Sequence, residues 1–72
     1  MSIGPNKSEA HRILGNLARM PGAVCTASSH GVVRQIMLQT GGRLLACGYD
    51  HDVKARSLGG GVYRVTLEKV KA

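Results

Sequence analysis

The chain has 72 residues, 43% of them hydrophobic, but with no Phe and no Trp. A core must therefore come from Leu, Val, Ile and Met, in a single domain close to the lower size limit for folding alone. Ten Lys and Arg against four acids give a net charge of +6, which directs attention to nucleic acid or an acidic protein surface as partner. No apolar run of 18 residues is present to span a membrane as a helix. The opening MSIGPNKSE lacks the apolar stretch of a secretory signal, so a cytoplasmic protein with reduced Cys25 and Cys47 is expected.

Residues 1–5 read as a loose arm. Asn6 offers an N-cap, with Glu9 three positions on to complete a capping box and Ser8 as an alternative cap. Ala10, Ile13, Leu14, Leu17 and Ala18 then recur at helical spacing, so a helix over 6–20 with one buried face is predicted. Lys7, His11, Arg12, Asn16 and Arg19 fall on the opposite face. Pro21-Gly22 closes the helix.

Beyond it, short β-branched runs alternate with glycines. Two-residue His30-Gly31 and Gly41-Gly42 connections are hairpin signals, and closing both turns collects Ala23, Cys25, Ile36, Leu38, Leu45 and Cys47 on one apolar surface. The last run, VKARSLGGGVYRV, closes at its glycines by pairing Leu58 with Val62. Val53, Ala55, Tyr63, Val65 and Leu67 then share the core side. Lys54, Arg56, Arg64 and Thr66 take the other. The fold expected on this basis is α+β: one N-terminal amphipathic helix packed on an antiparallel meander of about five strands over residues 23–70.

A second fold competes. SSHGVVRQIMLQTGG also fits a helix, with Val33, Ile36, Met37 and Thr40 on one side and Gly41 as its stop. Helix, strand, helix and a glycine-tipped hairpin would resemble a winged helix-turn-helix domain, although that family has three helices before its wing. The two folds diverge on whether residues 29–40 are strand or helix.

Cys25, His30, Cys47 and His51 invite a zinc site. The meander register, however, holds the two thiols about 10 Å apart on strands either side of Ile36, too far to share one ion or a disulfide. No Cys-x-x-Cys knuckle is present, so no metal and no cofactor are expected. Tyr49-Asp50-His51-Asp52 sets a histidine between two acids, but without a nucleophile motif it reads as a polar turn, and no enzymatic activity is expected. The GG and GGG runs lack the Lys-Ser/Thr of a phosphate loop.

The basic residues remain. Lys54, Arg56 and Arg64 on the last hairpin are the foremost candidates for partner contact, with Arg43, Arg12 and Arg19 behind them. Arg56 faces Arg64 directly, an arrangement that costs stability unless an oxyanion on a partner relieves it. With only Tyr49 and Tyr63 as aromatics, base stacking on single strands is poorly served. An acidic protein surface or duplex phosphates fit better.

Over its whole length, from MSIGPNKSEAHRILGNLARMPG to VYRVTLEKVKA, the chain resembles the small host-takeover proteins of lytic Xanthomonas phages that inhibit RNA polymerase. The likeness lies in size, Ala/Gly/Arg/Val-rich composition and a basic domain without catalytic motifs. It implies a non-enzymatic regulator in the host cytoplasm that binds bacterial RNA polymerase and alters transcription. It carries over no site residues. The alternative is a repressor of winged helix-turn-helix type that binds duplex DNA directly.

Overall fold

The computed structural model describes residues 4–70. In chain order they form α1 (Pro5–Arg19), β1 (Cys25–Ala27), α2 (His30–Thr40), β2 (Arg43–Ala46), β3 (Tyr49–Gly59) and β4 (Val62–Lys69). The architecture is α+β with two helices and one antiparallel sheet in the order β1-β4-β3-β2. Both helices lie on the same side of the sheet and leave its other face open. Residues 1–3 of the expected arm lie outside the described residues.

α1 buries Ala10, Ile13, Leu14 and Leu17, the face that the helical spacing predicts. Its start differs from expectation. Pro5 occupies the first turn behind an N-cap Gly4 that makes no side-chain bond, and proline suits that position because it has no N–H to leave unpaired. Asn6 and Glu9 are thereby released from capping α1 and reach across to α2. Glu9 accepts from the Ser28 backbone N–H at 2.9 Å and from the Ser28 hydroxyl at 2.8 Å. Asn6 lies against Ser29 at 3.5 Å.

These bonds hold the Glu9 carboxyl below its ordinary value of 4.5. The Ser28 amide is the largest cause, then its hydroxyl, with the nearby Arg12 charge adding a little and burial opposing. A carboxyl depressed on folding contributes stability that is present above its unfolded value and lost as pH falls through its folded value. Glu9→Gln is expected to lower stability by about 1 kcal/mol at neutral pH, the carboxylate being near solvent. Urea midpoints measured from pH 7 to pH 3 will show a shallower loss for the variant than for the wild type.

Residues 30–40 form a helix, which overturns the expected hairpin at His30-Gly31 and reduces the five strands to four. Local chemistry supports the helix at both ends. The Ser29 hydroxyl accepts from the Val32 N–H, and Gly41 closes the helix at φ 66° with its N–H on the Met37 carbonyl. Gly41 is thus the helix stop of the competing fold, not half of a hairpin turn, because only a left-handed residue here can return a donor to the last turn. Val32, Val33 and Ile36 are buried. Leu38 and Leu45, assigned to the core by the meander register, are 69% and 65% exposed. Cys47 is exposed as well.

The third helix of a winged helix-turn-helix domain is absent among the described residues. Where it would stand, residues 43–46 form β2, which returns through Cys47-Gly48 to pair Ala46 with Tyr49. Both turn residues have positive φ, 52° and 82°, the pattern of a two-residue turn that favours Asn-Gly. Cys47 pays for its side chain in a region that glycine and asparagine tolerate better. Cys47→Asn is therefore expected to stabilise the fold by about 0.5–1 kcal/mol, seen as a raised urea midpoint with unchanged slope.

The β3–β4 register matches the sequence expectation below its tip: Arg56 faces Arg64, Ala55 faces Val65 and Val53 faces Leu67. At the tip, Gly59 pairs with Val62 and Leu58 is bulged out, so the turn is Gly60-Gly61 and not three glycines. The core joins α1 and α2 to Ala27, Val53 and Val65, with Tyr63 and Leu67 packed at its margin. Ala55, on the same side by register, is exposed.

Candidate interaction surface

Strand alternation fixes the open face. On β3, His51 and Val53 point towards the helices and are buried, so Asp50, Asp52, Lys54 and Arg56 point away. On β4, Val65 and Leu67 point inward, which sends Arg64, Thr66 and Glu68 outward. The pairings Asp52 with Glu68, Lys54 with Thr66 and Arg56 with Arg64 then arrange the face in rows. Arg56, Arg64 and Lys54, all exposed, occupy the half next to the glycine turn. Asp50, Asp52 and Glu68 occupy the other half. The centres of opposite sign along β3, Asp52 and Arg56, are four residues or about 13 Å apart.

Of the six residues singled out by charge, Lys54, Arg56 and Arg64 are brought together. Arg43 lies on the same face but in the acidic half, its Nε 3.6 Å from Asp52 with the two side chains 58% and 41% exposed; such a pair contributes at most about 1 kcal/mol. Arg12 and Arg19 belong to α1, in the other layer, where Arg19 donates to the Asn16 side chain at 2.8 Å. They are not part of this surface. The acidic half escaped charge counting. Its signal is nevertheless in the sequence, as the alternation Asp50, Asp52, Lys54, Arg56 extended back from the hairpin.

That alternation also disposes of an acid–histidine pair. Asp50-His51-Asp52 is strand and not the expected turn, and it places the imidazole on the helix side, 6% exposed, with both carboxylates on the other. His51 Nδ1 is 2.8 Å from the Tyr49 carbonyl, so the ring nitrogen donates there and the imidazole is held by its own strand. Among the described residues no three His, Cys, Asp or Glu side chains gather to hold a metal ion. Cys25 and Cys47 are free thiols.

Neither tyrosine lies on the basic half. Tyr63 packs at the core margin against His30, ring centroids 5.8 Å apart, and so ties the start of α2 to β4. Tyr49 carries the Lys69 ammonium 3.7 Å above its ring, a cation–π contact on the helix side of the sheet. The open face thus offers charge, hydroxyls and the exposed Leu45 opposite Asp50, but no stacking platform.

No family model, no curated protein and no solved structure matches this chain. Among the described residues no helix is long and apolar enough to cross a membrane.

Proposed function

We propose that this chain is a non-enzymatic transcription regulator that binds bacterial RNA polymerase through the basic half of its open sheet face. The observation that carries a protein partner is the division of that face into a basic and an acidic half. A duplex presents negative charge at every step along its axis. Laid across this face, it would meet Asp50, Asp52 and Glu68 as well as the arginines. A protein surface can carry both signs and match both halves. Arg56 and Arg64 suit carboxylates on such a partner, since each guanidinium can engage one bidentately. The polymerase as that partner rests on the whole-chain resemblance.

A second reading, direct binding to duplex DNA, is supported by α2, which gives the chain the helix, strand, helix and hairpin order of the alternative fold. It is weakened by β2 in the place of a recognition helix.

Residue-resolved NMR separates the two. Labelled protein titrated with random-sequence duplex at physiological salt is expected to show no persistent shift at Arg56 or Arg64. Purified bacterial RNA polymerase is expected to broaden those same signals. Shifts with duplex that survive physiological salt, and none with polymerase, would transfer the function to DNA.

A further inference from the structure

We infer that the open sheet face is also a self-association surface, on which two copies of this chain pack face to face with their strands running in opposite directions. The argument starts from symmetry. A two-fold axis parallel to the sheet and perpendicular to its strands lays β3 over the β3 of a second copy, reversed in direction. Centred at Val53, this operation sets Lys54 against the partner's Asp52 and Arg56 against the partner's Asp50. The same contacts recur with the copies exchanged, as an isologous interface requires. On β4, whose residues pair with these across the sheet, Glu68 meets the partner's Thr66 and lies within diagonal reach of the partner's Arg64. The two-fold along the strands does not do this. With the axis along the strands, the basic half would meet its own copy.

The distribution of charge points to the same face. Of the chain's ten basic and four acidic residues, the open face holds four and three: Arg43, Lys54, Arg56 and Arg64 against Asp50, Asp52 and Glu68. The other described residues keep five basic residues, Lys7, Arg12, Arg19, Arg34 and Lys69, with Glu9 as the one acid among them. Two copies that meet through this face therefore turn their excess positive charge away from each other. At physiological ionic strength the screening length is about 8 Å, which damps repulsion between the distant charges and spares pairs in contact.

Size sets the strength. Under this operation β3 overlies its copy over residues 49–57 and β4 over residues 65–69, while β1 and β2 each lie to one side of the axis; at about 3.3 Å per residue and about 4.8 Å per strand this offers on the order of 200 Å² per copy. That is well under the roughly 800 Å² per partner of a standard stable interface. The dimer is accordingly weak and forms at high protein concentration. It covers Lys54, Arg56 and Arg64, so pairing competes with any other ligand of the basic half.

Sedimentation equilibrium at physiological salt tests this with two variants. Lys54→Asp/Arg56→Asp makes the face wholly acidic apart from Arg43 and Arg64, and Asp50→Lys/Asp52→Lys makes it basic apart from Glu68. Circular dichroism establishes that each is folded. The wild type is expected to move from 7.6 kDa towards twice that mass as concentration rises into the millimolar range. Each variant alone is expected to stay monomeric, and their equimolar mixture to regain the dimer. A wild type that stays monomeric, variants that pair as the wild type does, or a mixture that fails to recover would each overturn the proposal. Polymerase binding, measured separately in dilute solution, is independent of the result.

Discussion

Ile36→Ala is expected to remove most of the protein's stability, while Leu38→Ala two positions on is expected to change stability by less than about 0.5 kcal/mol. Ile36 is fully buried in α2 and Leu38 is 69% exposed. Removing three carbons from the first leaves a cavity between α2 and its neighbours, costing about 3 kcal/mol. A domain of this size has only about 3–5 kcal/mol in all, so at most about 2 kcal/mol remains and the melting temperature falls steeply. At Leu38 the lost contacts are few and alanine is the better helix former. The pair is diagnostic for residues 30–40 because strand alternation would place both side chains on one face, whereas helical spacing separates them by about 200°. Thermal melts of the two variants read the difference directly; comparable losses at both positions would contradict the helix.

The second large effect is a pair of changes in opposite directions. Arg56→Glu turns the like-charge pair across β3 and β4 into an attractive one, and is expected to raise stability by about 0.5–1 kcal/mol. The same change is expected to weaken polymerase binding at least tenfold, a loss of about 1.4 kcal/mol or more, by setting a carboxylate against the partner's acids. Arg64→Thr should act likewise but more mildly, since it removes the repulsion without creating a pair. A substitution that stabilises the protein while disabling it is the signature of a residue kept for contact and not for folding. Calorimetric melts and polymerase pull-down on the same preparations would show it. A stabilised Arg56→Glu protein that binds polymerase undiminished would remove the basic half from the docking surface, leaving the like-charge pair without a role.

Opposed arginines are tolerable here because of where they stand. Both side chains project into water from a face that no helix covers, where their repulsion is screened. The buried side of the same strands is carried by Val53 and Val65. Glu9 shows the converse economy: a side chain with the spacing to cap its own helix serves instead to bind α1 to the start of α2, since Gly4-Pro5 already begins α1 without it.

How much of this was legible in the residues depends on the range of the interactions that decide each element. α1 was, because four apolar residues at helical spacing and a Pro-Gly stop define it within twenty positions. So was the β3–β4 hairpin, whose register from Arg56–Arg64 down to Val53–Leu67 follows from one glycine turn and a period of two. With it came the grouping of Lys54, Arg56 and Arg64. Residues 30–40 were not settled locally: Val32-Val33 favours strand, Ser29 and Gly41 favour helix caps, and each pattern yields a plausible apolar face. Packing decided in favour of the helix, because α1 alone cannot cover a sheet whose inner side exposes Ala27, Val53 and Val65, and α2 supplies Val32, Val33 and Ile36 to close it. Once residues 30–40 leave the sheet, β1 must pair with β4 across a long connection. That pairing, the placing of β2 on the far edge, and the separation of Arg12 and Arg19 from the hairpin arginines are contacts between distant parts of the chain. No short window of sequence encodes them, since their free energy comes from burying one element against another.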